Sequence, residues 1–139
     1  MSTEREKVYA TNVAKTAWSW IISTVPPSVP MSWGISKFGA GYFHNADGYK
    51  LPGLVLRVSG LLHTGLVIVA LNEGMDLYEV LLMDENSKKV GEWHTGVYGD
   101  SLARLIDSLV ERSSSMTDEE YARLSSADSA RKMTQENEA

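Results

Sequence analysis

Two stretches constrain this chain more than any other feature. Leu66–Leu71 and Leu77–Met83 carry apolar side chains at both their odd and their even positions. In an extended chain successive side chains point to opposite faces, so both segments call for burial on both sides. In the first, Leu66, Ile68 and Ala70 oppose Val67, Val69 and Leu71. In the second, Tyr78, Val80 and Leu82 oppose Leu77, Leu81 and Met83, with Glu79 the one intruder. A half-solvated antiparallel strand alternates apolar with polar residues. These two segments therefore read as the centre of a sheet whose faces both need cover. Either one helix lies on each face, or both helices share one face and a second copy buries the other. Dimers are the commonest closed oligomers, and their interfaces resemble a core cut in half. The pattern thus gives an expectation of a homodimer formed through the sheet.

The rest of the chain supplies the helices and the remaining strands. Ala10, Val13, Ala14, Ala17, Trp18 and Ile21 follow helical spacing and predict an amphipathic helix over about Thr3 to Ser23, with Trp18 and Ile21 docked in the core. Pro26-Pro27 stops it, and Pro26 to Pro30 reads as a stiff connector. From Met31 the period shortens, and Asn45-Ala-Asp47-Gly48 is a turn signal, so Met31 to Gly60 reads as a hairpin, with Pro52 at an edge or bulge. Leu61–Leu71 and Leu77–Met83 form the next hairpin, and a short mixed edge strand runs from Lys89 to His94 or a little beyond. Asp100 is placed to cap a second helix carrying Leu102, Leu105, Ile106, Leu109 and Val110 on one stripe. Ser113 to Ser115 is a break, and Thr117-Asp-Glu-Glu120 has the capping-box pattern ahead of a thinly apolar helix over Tyr121 to Met133. The last residues read as disordered.

Composition removes several function classes. The chain has no cysteine, which excludes thiol nucleophiles, cysteine-bound zinc and disulfide scaffolds. Its formal net charge is −5 and Lys and Arg are not clustered, which disfavours nucleic acid as a partner. The most apolar run is far shorter than the roughly 20 residues a membrane helix needs. No signal peptide or lipidation motif is evident, so the expectation is a cytoplasmic protein with no membrane partner.

The candidate chemistry is weak beside its structural explanations. His44 and Asp47 flank a turn, and Glu92-Trp-His94 places two polar side chains on one strand face. Zinc-enzyme signatures, a Gly-x-Ser-x-Gly elbow and a phosphate loop are all lacking. Ser59 and His63 are close in sequence, but a catalytic triad is defined by geometry. No catalytic residue, metal ligand or cofactor is assigned. Should a pocket form, Trp33, Tyr42, His44, Asp47, Trp93 and His94 are the residues expected to line it.

The sequence thus gives an α+β class: an antiparallel sheet of about five strands, a meander of hairpins, flanked by N-terminal and C-terminal amphipathic helices. Residues 1–112 form one domain, and 113–139 an acidic, partly helical or disordered tail that offers a surface for a protein partner. The function expected is a non-enzymatic protein-interaction module that self-associates. A small-molecule-binding or hydrolytic domain using the aromatic and histidine pocket is the alternative.

Overall fold

The computed structural model describes residues 3–112, 117 and 119–124. Helix α1 (Glu4–Thr24) starts in a capping box: Thr3 Oγ1 accepts from the Glu6 N–H at 3.1 Å, and the Glu6 carboxylate accepts from the Thr3 N–H at 3.3 Å. These bonds satisfy two of the donors that a helix start leaves open. Its buried stripe is Ala10, Val13, Ala14, Ala17 and Ile21. Val25 is extended, as the residue before a proline tends to be, and there the helix ends. Trp18 differs from expectation. It is half-buried at the rim of the core, while Ile21 is fully buried.

A one-turn helix, α2 (Ser28–Ser32), occupies what reads in the sequence as connector and strand start. Pro27 and Pro30 do not prevent it, because the first-turn N–H groups that they lack have no partner inside a helix anyway. Five strands follow: β1 (Lys37–His44), β2 (Lys50–Ser59), β3 (Thr64–Asn72), β4 (Leu77–Met83) and β5 (Lys89–Val97). They pair antiparallel in the order β1-β2-β3-β4-β5, so the meander is the observed topology. Pro52 faces Tyr42 of β1 but precedes the first β2–β3 partner, Gly53, so its missing N–H breaks no ladder on that side. A 3-10 turn over Gly99–Ser101 leads into α3 (Leu102–Val110). Asp100 lies inside that turn and no side chain caps either start, which replaces the expected Asp100 cap.

Both helices lie on one face of the sheet. Ala14, Ala17 and Ile21 of α1 and Leu102, Ile106 and Val110 of α3 share one cluster with Leu54, Leu56, Val67, Val69 and Val80. On the other face, Leu51, Ile68, Ala70 and Leu81 form a second cluster, each no more than 5% exposed within a single chain. Half-buried Phe43, Val55, Met83 and Trp93 pack against it. Asn45, just past the end of β1, reaches Glu79 on β4 with β2 and β3 between them, so the sheet coils over this face.

Beyond α3, residues 119–124 are helical, with Thr117 Oγ1 accepting from the Glu120 N–H at 3.1 Å. The remainder of the expected Tyr121–Met133 helix and the final residues lie outside the described part. Among the described residues, no helix is long and apolar enough to cross a membrane.

Candidate functional site

The six residues singled out in the sequence are dispersed. Trp33 is fully buried, and its Nε1–H donates to Asp107 Oδ1 at 3.0 Å, tying the end of α2 to α3. Tyr42 donates its hydroxyl proton to the Glu6 carbonyl at 3.0 Å, and the Lys50 ammonium sits 4.7 Å from its ring centre. Lys50 also pairs with the Glu6 carboxylate at 2.8 Å, so this constellation fastens α1 to the β1–β2 hairpin. His44 is exposed at the end of β1, and Asp47 is exposed in the turn that follows. Trp93 packs on the coiled face of the sheet. His94 is exposed on β5, in register with Val80.

β1 and β5 are opposite edges of the sheet, so three strands separate His44 from His94. Among the described residues, no group of three His, Asp or Glu side chains could hold a metal ion.

The surface feature that stands out lies where α1, α2 and β1 meet. Gly34 makes it possible. It has φ +62°, and a Cβ there would come within 2.7 Å of the Ser59 carbonyl oxygen. Only glycine allows both the positive φ and this approach, which turns the chain sharply from α2 toward β1. The turn opens a groove of about 480 Å³ whose walls are Trp18 and Ile22 of α1, Pro30 and Met31 of α2, Ile35 ahead of β1 and Phe38 near its start. No charged residue lines it. Trp18 and Phe38 meet edge to face, with ring centres 4.9 Å apart, an arrangement aromatic pairs favour. Met31 is 78% exposed, Phe38 58% and Ile22 49%.

A second cleft, of about 360 Å³, lies on the other flank of α1 between Trp20, Tyr78, Tyr98 and Asp100. None of the six sequence-selected residues lines either cavity. The groove is not legible in the sequence because helical spacing places Trp18 in the core and the shortened period places Met31 at the start of a hairpin. The available signal is Met31-Ser-Trp-Gly34 after three prolines, where a glycine next to large apolar residues marks a sharp exposed turn.

Two carboxyls of the scaffold are shifted from their ordinary range. The Lys50 ammonium holds the Glu6 carboxyl below its ordinary range, helped by the Thr3 N–H. Burial pushes the Asp107 carboxyl above its ordinary range, against the opposing pull of the Trp33 N–H and Arg112. Asp107 serves the scaffold beside the groove through Trp33, and Glu6 the far end of α1.

No protein-family model, curated protein or solved structure matches this chain.

Proposed function

We propose that this protein is a non-enzymatic interaction module whose docking site is the groove between α1, α2 and β1. The observation that carries the reading is the joint exposure of Ile22, Met31 and Phe38 around one uncharged concavity. Contiguous apolar surface on a folded chain marks an interaction or binding site more often than single exposed apolar residues do. A photo-crosslinking residue at Met31, in the full chain and its native host, tests it. A discrete adduct is expected, and it should disappear on Phe38→Asp while circular dichroism is unchanged. An adduct that survives Phe38→Asp, or that forms equally from exposed Tyr49 on the first turn, overturns the assignment.

Self-association is the second reading, and half-buried Phe43, Val55, Met83 and Trp93 on the coiled face favour it. Native mass spectrometry of the full chain separates it from the first: a dimer split by Trp93→Glu, but not by Phe38→Asp, would move the interface to that face.

A further inference from the structure

The two edges of the sheet are unlike each other. β5 pairs with β4 through two register shifts, and Gly91 and Gly96 along it have φ of +77° and +64°. Bulges and bends of this kind blunt an edge against further pairing. β1 has none of them: its eight residues run in unbroken register from Lys37↔Arg57 to His44↔Lys50. No described strand pairs with its outer side, so every second backbone N–H and C=O on it is directed outward.

This open edge begins at the groove, because Phe38 belongs to both. Phe38 and Leu56 point to the helix side, Phe38 against Trp18 and Leu56 into the core beneath α1. Their chain neighbours Lys37 and Arg57 therefore point to the opposite face, directly across from one another. Both are exposed, and neither has an ion pair or hydrogen bond from its side chain among the described residues. Like charges directly opposite on a sheet are destabilising. The edge thus presents an apolar face at Phe38 and, on the other face of the sheet, Lys37 of β1 with Arg57 of β2 directly behind it, two cations without a charge partner among the described residues.

Resting on the groove as the docking site, we infer that its partner is an extended segment that adds to β1 as a sixth strand, apolar on the face toward Trp18 and Phe38 and acidic on the face toward Lys37 and Arg57. Strand addition of this type takes affinity from main-chain hydrogen bonds and specificity from the places given to alternate side chains. A second copy fits the edge poorly, because β1 (Lys-Phe-Gly-Ala-Gly-Tyr-Phe-His) has no carboxylate to offer those cations. The chain's own residues 125–139 have carboxylates but Met133 as their one large apolar residue, too little for an apolar face.

Fluorescence anisotropy on the full chain tests this with peptides of about eight residues, a common strand length. One alternates valine and glutamate around a central phenylalanine. The second replaces glutamate with lysine, and the third N-methylates alternate amides of the first. The acidic peptide should bind about tenfold tighter than the basic one, the scale expected when attraction to Lys37, with Arg57 one strand behind it, is replaced by repulsion. Lys37→Glu combined with Arg57→Glu should reverse that order, N-methylation should abolish binding, and Phe38→Asp should weaken both peptides. Equal binding of the acidic and basic peptides, still lost on Phe38→Asp, overturns the inference and leaves the groove standing. Binding indifferent to Phe38→Asp removes the groove as well. A homodimer split by Phe38→Asp, with no peptide bound, makes a second copy the occupant and also overturns the inference.

Discussion

Glu79 is the residue whose role the strand pattern concealed. It is buried on the coiled face and accepts from Asn45 Nδ2 at 3.2 Å and Asn72 Nδ2 at 2.8 Å. Those two asparagines shape the two turns at this end of the sheet. Asn45 Oδ1 accepts from the Asp47 and Tyr49 N–H groups, and Asn72 Oδ1 from the Met75 N–H. One carboxylate therefore joins the β1–β2 and β3–β4 turns. Glu79→Gln keeps the volume but turns an amide N–H toward an asparagine amide, and a buried donor without its acceptor costs about 1–3 kcal/mol. Urea unfolding should show a loss of that size, and amide exchange at Tyr49 and Met75 should speed up. Asp107 carries a pH-dependent prediction. Its folded carboxyl titrates above its ordinary range because of burial, so the folded state holds the proton more tightly than the unfolded one. Its ionisation therefore removes stability as pH rises through that interval, and the loss persists above it. Asp107→Asn keeps an acceptor for the Trp33 N–H and removes the ionisation. The variant should melt higher than the parent near pH 7, with the gap closing below about pH 3, where the unfolded carboxyl is protonated too. In the sequence, Glu79 is legible only as a polar intruder, and Trp33 only as an aromatic at the start of the first hairpin, a candidate to line a pocket. The partners that define both lie in other elements, and no local pattern names them.

The elements are more legible than the residues, because each is written in local periodicity. The stripe Ala10, Val13, Ala14, Ala17 and Ile21 is the buried face of α1, and Leu77–Met83 is β4 to the residue. What escaped is α2, since its prolines look like a stop and are harmless in a first turn. The lost cap at Asp100 has a similar origin: a 3-10 turn comes before the helix and takes the residue that would have capped it. The α1 stripe owes its fit to small side chains, with Ala14 and Ala17 set against β2 and β3. Ala17→Leu adds volume at a position that is 0% exposed. Overpacking of this kind typically destabilises by about 1–3 kcal/mol. The expected outcome is a lower urea midpoint and a redistribution of tryptophan fluorescence as α1 lifts from the sheet. An unchanged midpoint would mean that α1 is free to shift, and the groove walls at Trp18 and Ile22 with it.

At the scale of the whole molecule, the doubly apolar strands pose the question of what covers the second face. Both helices lie on the first face, and this is the arrangement for which the strand pattern asked for a second copy. Coiling of the sheet supplies much of the cover instead. Leu51, Ile68, Ala70 and Leu81 are already shielded by Phe43, Val55, Met83, Trp93 and the folded-over first turn. What remains for a partner is the outer surface of a few half-buried side chains, these four and Leu66 among them. A stable dimer buries on the order of 800 Å² per subunit, some 20 residues or more on each side. This remnant is small by that standard, whereas the groove and the β1 edge add fresh apolar surface and open backbone on the opposite side of the strand. The full chain is therefore expected to run as a monomer in native mass spectrometry at micromolar concentration, and Trp93→Glu should leave its mass state unchanged. Trp93→Glu should instead act on the fold. A carboxylate set against the Leu81 cluster loses the apolar contact and burial of the indole, so the variant should unfold at lower urea. A dimer in the parent that becomes a monomer in this variant would reverse the assignment: the coiled face would then be the principal interface, and the strand pattern would have identified the interaction surface directly.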